Sequence, residues 1–198
     1  MTGLVFATES ALKEPGPDAE ADLVMRLSRS EPAAVGAAYD AHHGAVRAFA
    51  QRLLGDGGAA EDLVHEVFVT LPRAARNFRG EASLRTFLIS IAVQHARHFV
   101  RSASRRRAAM NRLEAEPVST NVPDPEHVVR RKELARVLAR ALDSLPLDQR
   151  VAFVLCEVEE RSSREVAEIV GAPEGTVRTR LFHAKKKLRS ELEREGVR

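Results

Sequence analysis

Residues 162–189 read SSREVAEIVGAPEGTVRTRLFHAKKKLR, and this stretch decides the fold of the C-terminal part of the chain. Ser162 followed three residues later by Glu165 is typical of a capping box that starts a helix. Val166, Ile169 and Val170 supply a buried stripe, and the residues at 171–173, Gly-Ala-Pro, predict a short turn before a second helix. The stretch therefore predicts a helix-turn-helix motif.

The second helix of this motif has one apolar and one polar face. Val177, Leu181, Ala184 and Leu188 form a narrow apolar stripe at helical spacing. Opposite and beside that stripe stand basic, hydroxyl and aromatic side chains that can reach base edges or phosphates in a DNA major groove. These candidate DNA-binding residues are Arg178, Thr179, Arg180, Phe182, His183, Lys185 and Lys186. The alternative is a solvated surface helix whose cations serve solubility.

Length and composition bound the class of protein. The chain has 198 residues, of which 44% are hydrophobic, and this is enough for one medium domain or two small ones. No stretch approaches the roughly 20 consecutive apolar residues of a membrane-spanning helix, and the N-terminus lacks the basic segment of a signal peptide. We therefore expect a soluble, cytoplasmic protein. The single cysteine, Cys156, excludes an internal disulfide and is expected to be a small core residue.

Charge is segregated along the chain. Basic residues occur without an intervening acid from Arg97 to Arg112 and again from Arg178 to Arg189. Between these blocks lies the acidic, proline-interrupted segment LEAEPVSTNVPDPEH at 113–127, which is typical of a linker. The functional interpretation is that two basic modules face the same polyanion. The alternative is that the charged residues only keep the helices solvated.

Apolar residues recur at helical spacing almost throughout, and strand-like alternation is absent. The predicted fold class is all-α, with two small helical domains joined by a flexible acidic linker. Ser30 is expected to cap a helix that has Pro32 in its first turn, and Pro72 is expected to end or kink the next helix. In the second half, two scaffold helices are predicted. The first carries Leu134, Leu138, Ala141, Leu142 and Leu145 and is ended by Pro146, and the second carries Val151, Val154, Leu155 and Val158.

Three segments together resemble an extracytoplasmic-function sigma factor, a member of the two-domain group of the sigma-70 family. They are DAHHGAVRAFAQRLLGDGGAAEDLVHEVF at 40–68, FRGEASLRTFLISIA at 78–92 and the helix-turn-helix at 162–188. The resemblance implies an N-terminal extension over 1–17 that is expected to be disordered, a sigma-2 domain over 18–106, a linker over 107–126 and a sigma-4 domain over 127–193.

The resemblance also implies a partner for the helix that carries EDLVHEVF at 61–68. In this family that helix docks on the beta-prime coiled coil of core RNA polymerase, so Asp62, His65 and Glu66 are the expected polymerase contacts. Exposed acids suit a basic partner surface and act mainly on encounter rate and register. The usual family residue at position 65 is Gln. The sigma-4 domain is expected to meet the polymerase beta flap.

Promoter contacts follow from the same resemblance. The helix-turn-helix would read double-stranded DNA at the −35 element, and the loop at 77–83 would capture a flipped base of single-stranded DNA at −10. The residues implied at −10 are Asn77, Phe78, Arg79, Gln94, Arg97, His98, Arg101, Arg105 and Arg106. For Phe78 the alternative is a place in the core. Gln94 and His98 stand where Asn and Asp are frequent, and His183 stands where Arg is common.

The family implies an anti-sigma factor as a further partner. A stand-alone helix-turn-helix regulator, or a sigma-factor mimic acting in partner switching, is the alternative function, although such a protein would be expected to lose either the acids or the basic faces. A metalloenzyme is disfavoured because its histidines lack an HExxH or Cys/His framework. We expect no catalytic residues, no metal and no cofactor.

Overall fold

The structure is a computed structural model that describes residues 17–80, 82–96 and 137–195. Within these ranges every regular element is helical, which confirms the all-α fold class. The N-terminal unit contains α1 (Pro17–Ser28), α2 (Pro32–Leu54), α3 (Gly57–Ala75) and α4 (84–96). The C-terminal unit contains α5 (137–143), α6 (Leu147–Phe153), a π-helical turn (Val154–Val158), α7 (Ser163–Val170) and α8 (Glu174–Arg194). The linker predicted over 107–126 and the extension predicted over 1–17, apart from residue 17, lie outside the described residues.

The N-terminal unit is built around the apolar stripes of its helices. Leu27, Phe49, Leu63, Leu71 and Leu88 come from all four helices and are fully buried. Burial of one such side chain stabilises a fold by about 1.5–3 kcal/mol. The apolar side of α3 is therefore the face that packs on the core.

The turn between α2 and α3 satisfies the backbone groups at both helix ends. Gly55 has a φ of 64°, and its N–H donates to the carbonyl of Gln51 at 2.8 Å. Asp56 then accepts a hydrogen bond from the N–H of Ala59 at 2.6 Å. A left-handed glycine cap followed by an aspartate N-cap allows the chain to reverse within two residues.

The predicted start of α2 is wrong by one residue. Ser30 lies in the preceding turn with a φ of 60°, and Glu31 is the N-cap. Pro32 occupies the first turn as predicted. The Glu31 side chain makes no cap hydrogen bond, because its carboxylate accepts one from Nε of Arg26 at 3.0 Å. Packing of α2, and not a side-chain cap, therefore defines this helix start.

Pro72 does not end α3, which continues to Ala75. Leu71 and Ala75, on either side of Pro72, are both buried. A proline in the last turn removes its own backbone donor, but few helical hydrogen bonds follow it. Tertiary packing of the last turn therefore outweighs the tendency of Pro72 to end the helix.

A π-helical turn shifts the register of the C-terminal unit. Val151, Val154 and Leu155 are buried as predicted, whereas Val158 is 43% exposed, so its predicted place in the buried stripe is wrong. A π-helical turn takes more residues than an α-helical turn, which rotates the following side chain away from the stripe. A second small cluster, formed by Ala141, Leu145, Ala184 and Leu188, joins α5 to α8.

The two units share one apolar core. Val151, Leu155 and Ile169 of the C-terminal unit belong to the same cluster of buried side chains as Leu53 and Leu88 of the N-terminal unit. Across the parts of the chain that the structure describes, the helices lack the combination of length and apolar character that crossing a bilayer requires.

The turn between α7 and α8 provides a test of backbone conformation. Gly171 has a φ of 64°, and a Cβ built there meets nothing within 4 Å. Gly171→Ala should therefore lower the free energy of unfolding by about 1 kcal/mol through left-handed backbone strain alone. Urea unfolding followed by circular dichroism measures this change.

The matched control for this prediction is Gly175→Ala. Gly175 lies inside α8, also meets nothing within 4 Å of a built Cβ, and has no positive φ. Alanine there should leave stability unchanged or raise it by up to about 1 kcal/mol. Equal losses from the two substitutions would contradict the assignment of strain to Gly171.

Candidate nucleic-acid interface

The capping box that opens the helix-turn-helix is present. The hydroxyl of Ser162 accepts the N–H of Glu165 at 3.2 Å, and the Glu165 carboxylate accepts the N–H of Ser162 at 2.8 Å and its hydroxyl at 2.6 Å. These hydrogen bonds, the one from the Ser162 hydroxyl first, lower the pKa of Glu165 below its usual value. The start of α7 is therefore fixed by reciprocal bonds.

Packing then sets the direction of α8. Val166 and Ile169 of α7 are buried, as are Val177, Ala184 and Leu188 of α8. These three residues of α8 belong to its predicted apolar stripe, and Leu181, the fourth member, is half-buried. With this stripe turned inward, α7 and the scaffold helices hold the opposite side of α8 toward solvent.

The solvent-facing side of α8 is a surface suited to a DNA groove. Arg178, Thr179, Phe182, His183 and Lys186 are all exposed, and Phe182 is 63% exposed. The rings of Phe182 and His183 meet edge to face at 5.5 Å. An aromatic side chain among hydrogen-bond donors can contact a thymine methyl while the donors reach base edges. The five residues thus lie together as predicted; that they bind DNA stays a prediction.

The cations on the two flanks of α8 make contacts within the C-terminal unit. Arg180 pairs with Asp148 of α6 at 2.8 Å, and Lys185 pairs with Glu157 at 2.7 Å. Lys187 donates to the backbone carbonyl of Ser144. These side chains brace the helix against its scaffold, so Arg180 and Lys185 are less available for phosphates than the sequence alone indicates.

The loop at 77–83 is held at both ends. Asn77 and Arg79 are exposed, whereas Phe78 is half-buried with its ring 4.8 Å from that of Phe87. The hydroxyl of Ser83 accepts the N–H of Thr86 at 3.2 Å and so caps α4. Phe78 contacts a ring that packs on the core, and its role at −10 stays a prediction.

The predicted −10 face is only partly described. Gln94 of α4 is exposed, and it lines a cavity against the C-terminal unit. The remaining members, Arg97, His98, Arg101, Arg105 and Arg106, lie outside the described residues.

The acidic face of α3 is exposed as predicted. Asp62 and His65 are exposed, Glu66 is half-buried, and Val69 on the same side is 59% exposed. A single exposed apolar side chain beside acids is common on protein surfaces and does not by itself mark a binding site. The role of this face stays a prediction.

Sequence reasoning missed two features near these surfaces. The ring of Tyr39 stacks on His43 at 4.7 Å and meets Phe68 of α3 at 5.0 Å, which places an exposed aromatic group beside α3. Arg150 is buried at 3% exposure, although nothing in its local sequence separates it from surface arginines. Only the three-dimensional packing reveals either feature.

Histidine, cysteine and acidic side chains do not cluster in the described ranges. No group of three or more His, Cys, Asp or Glu side chains gathers there in a way that could hold an ion. Burial raises the pKa of the Cys156 thiol, and the nearby Glu157 carboxylate adds to the effect. This thiol is therefore mostly protonated near neutral pH.

Two family models match the chain. The model for Sigma-70 region 2 matches residues 38–106, a range that contains the acidic helix and the loop at 77–83. The model for Sigma-70, region 4 matches residues 135–188, a range that contains the helix-turn-helix.

Curated relatives extend this likeness along the chain. The sequence is 32% identical over 143 residues to the ECF RNA polymerase sigma-E factor of Escherichia coli strain K12, which covers 69% of this chain and 75% of the relative. It is 33% identical over 139 residues to the ECF RNA polymerase sigma-E factor of Haemophilus influenzae, covering 67% and 74% of the two chains.

Solved structures share the arrangement of helices. The structure of CnrH in complex with the cytosolic domain of CnrY matches with a TM-score of 0.61 and 25% identity, over 89% of this chain and 98% of that one. The sigma factor RpoE in complex with the anti-sigma factor NepR from Bartonella quintana matches with a TM-score of 0.54 and 22% identity, over 89% and 97%.

The capping box gives a pH-dependent test. Ser162→Ala removes an N-cap, and at pH 7 it should lower the free energy of unfolding by about 1 kcal/mol. Because the pKa of Glu165 is lowered in the folded state, the contribution of its carboxylate is present above the unfolded pKa near 4.5 and is lost as pH falls through the folded value. The difference between wild type and Ser162→Ala should therefore shrink below about pH 4, as measured by urea unfolding from pH 7 to pH 3.

The Glu165→Gln background is the control for this titration. Glutamine keeps an acceptor at the position but does not ionise, so the effect of Ser162→Ala should be the same at every pH. A pH-dependent effect in this background would assign the titration to another group.

Proposed function

Since the chain belongs to the extracytoplasmic-function group of the sigma-70 family and is an RNA polymerase sigma factor, we propose that its two helical units divide promoter recognition between them. The N-terminal unit is the sigma-2 domain, over 18–106, and the C-terminal unit is the sigma-4 domain, over 127–193, with the linker over 107–126. The sigma factor supplies binding and position, and the polymerase performs the chemistry.

The exposed face of α8 is the observation that supports this proposal most. Arg178 and Phe182 project from a helix whose opposite stripe is buried, which is the arrangement that a recognition helix needs. In the proposal Arg178, Thr179, Phe182 and His183 read base edges at −35. Lys186, on the same face, contacts phosphate. Arg180 and Lys185 pair with Asp148 and Glu157 within the fold, so each must leave its carboxylate before it contacts phosphate.

The sigma-2 domain carries the other two proposed contacts. Asp62, His65 and Glu66 bind the beta-prime coiled coil, and the exposed Val69 on the same side of α3 adds an apolar contact. At −10, Asn77 and Arg79 meet the non-template strand from the loop, and Phe78 holds the loop in place through Phe87. Gln94 continues this surface along α4 toward Arg97, His98, Arg101, Arg105 and Arg106.

An anti-sigma factor is a further proposed partner, and the cytoplasm is the proposed location. The Bartonella quintana sigma factor, which shares this fold, is bound to the anti-sigma factor NepR in its structure. The sigma-4 domain is also proposed to meet the polymerase beta flap. Core RNA polymerase remains the partner on which the function depends.

Run-off transcription tests the function. Core polymerase supplied with this protein should start transcripts at defined positions on members of a promoter library, whereas core polymerase alone should not. Failure to confer start sites on any template, although the protein binds core polymerase, would favour a stand-alone regulator or a sigma-factor mimic.

Arg178→Ala tests the −35 assignment. Loss of a base-reading arginine should weaken binding to the cognate −35 duplex by about 1–3 kcal/mol, or roughly 5- to 150-fold, and should relax preference at one base pair. Fluorescence anisotropy with the cognate duplex and its single-base variants measures both effects.

Arg140→Ala is the matched control for this test. Arg140 is an exposed arginine that pairs with Glu195 at 3.0 Å, and Glu195 stands at the far end of α8, about 25 Å along the helix from Arg178. Its loss should change affinity less than twofold and should leave base preference intact. Equal weakening of all duplexes by Arg178→Ala would instead assign that residue to phosphate.

A further inference from the structure

Glu20 places an acid on the side of α1 that faces the core. It lies three residues before Leu23 and seven before Leu27, which is the spacing of one helix face, and both leucines are buried. Glu20 is itself half-buried. Its carboxylate accepts a hydrogen bond from the backbone N–H of Leu84, the first residue of α4. The inward face of α1 thus begins with an acid that reaches another helix.

This hydrogen bond supplies part of the N-terminal cap of α4. The first N–H groups of a helix have no partner within the helix, and the helix dipole favours a negative charge beside them. The Ser83 hydroxyl accepts the N–H of Thr86 at 3.2 Å, and the Glu20 carboxylate accepts the N–H of Leu84. One acceptor of this cap is therefore local, whereas the other comes from a residue 64 positions away in the chain.

The turn that Glu20 caps also holds the loop at 77–83. Phe87 lies in the first turn of α4, and its ring is 4.8 Å from that of Phe78 in the loop. The N–H of Phe87 donates to the carbonyl of Ser83, the last residue of the loop, at 3.0 Å. The loop therefore ends where the cap places the first turn of α4.

The other end of the loop has its own anchor. The N–H groups of Asn77 and Phe78 donate to the carbonyls of Ala74 and Ala75, in the last turn of α3, at 3.0 and 3.2 Å. These two hydrogen bonds fix the point at which the loop leaves α3. The two ends of the loop are thus held separately, and α1 contributes to the anchor at α4.

The first turn of α4 also meets the C-terminal unit. Glu159 pairs with Arg85 at 3.8 Å and with Arg52 of α2. Nη1 of Arg161 donates to the hydroxyl of Thr86 at 3.1 Å. These contacts cross the seam between the two units. The hydrogen bond from α1 lies within the N-terminal unit, so it does not depend on them.

We propose that Glu20 is a positioning residue for the loop at 77–83: by capping α4, it sets the direction in which the loop presents Asn77 and Arg79 to the −10 strand. The role at −10 rests on the proposed function, whereas the cap rests on contacts within the N-terminal unit alone. A loop that is ordered before the strand arrives binds more tightly, because ordering it during binding would cost affinity. The distant acid supplies part of that order.

Amide hydrogen exchange in the full chain, followed by NMR, tests the cap. Glu20→Ala removes the acceptor, so the Leu84 amide should exchange about two- to tenfold faster, the range expected for loss of one helix-capping hydrogen bond. Glu20→Gln retains an oxygen acceptor without the charge, so it should give an intermediate rate. The amide of Asn77, at the α3 end of the loop, is the internal control and should exchange at its wild-type rate.

Asp22→Asn is the matched control for the loss of charge. Asp22 lies on α1 two residues after Glu20, its side chain is 57% exposed, and it pairs with Arg26 of the same helix at 3.7 Å. Its replacement removes one negative charge from α1 but leaves the hydrogen bond to Leu84 intact, so the exchange of that amide should not change. Circular dichroism confirms that each variant is folded.

Binding by the holoenzyme tests the positioning role. The probes are a single-stranded −10 oligonucleotide and a −35 duplex, both taken from a promoter on which the wild-type protein directs run-off transcription. Glu20→Ala should weaken binding of the −10 strand by about two- to tenfold, and should change binding of the −35 duplex and of core polymerase by less than about twofold. Glu20→Gln should recover part of the loss. A general loss of stability would weaken all three interactions alike.

Two outcomes would overturn the proposal while the proposed function stands. One is a Leu84 amide that exchanges no faster in Glu20→Ala than in Asp22→Asn, or no faster than the Asn77 amide of the same variant. The other is a −10 affinity in Glu20→Ala that is unchanged, or that falls no more than the affinity for the −35 duplex. If the wild-type holoenzyme starts no transcripts, the proposed function and the −10 role both fail, and the exchange at Leu84 still decides whether Glu20 holds the loop.

Discussion

Burial of one continuous apolar core by two small helical units is the constraint on which this structure depends. A unit of about 60 residues buries only about 60% of the surface of its unfolded chain, so it is marginally stable alone. In this chain Val151 and Leu155 of the C-terminal unit enter the same cluster as Leu53 of the N-terminal unit. Docking therefore adds buried area that neither unit could supply by itself, and the polar contacts at the seam form around that apolar contact.

Periodicity predicted the helices well because one face of each is buried in the core. The helix-turn-helix was the clearest case, since capping box, glycine turn and apolar stripe are all local and agree with one another. Local rules failed where tertiary packing overrides them: α3 continues past Pro72, and the π-helical turn rotates Val158 into solvent. The burial of Arg150 was not predictable, because its acceptor is the carbonyl of Leu53, which is far away in the sequence.

The same limit applies to the candidate site. A helical wheel places Arg178, Arg180 and Lys185 around one helix, but it does not show which carboxylates the neighbouring helices bring. In the folded chain Arg178 pairs only along its own helix with Glu174, whereas Arg180 and Lys185 reach Asp148 and Glu157 of the scaffold. A basic side chain on a recognition helix can therefore bind DNA, pair with a carboxylate of the fold, or do one after the other. Sequence spacing alone does not distinguish these roles.

Polar contacts surround the shared apolar core at the seam between the two units. Arg52, Arg85 and Glu159 lose little on separation, because each charge regains water. Arg150 keeps its bond to Asp143 within its own unit when it leaves Leu53, so opening does not strand a buried charge. The polar contacts thus determine how the units face each other, and the buried apolar side chains supply most of the stability of the docked form.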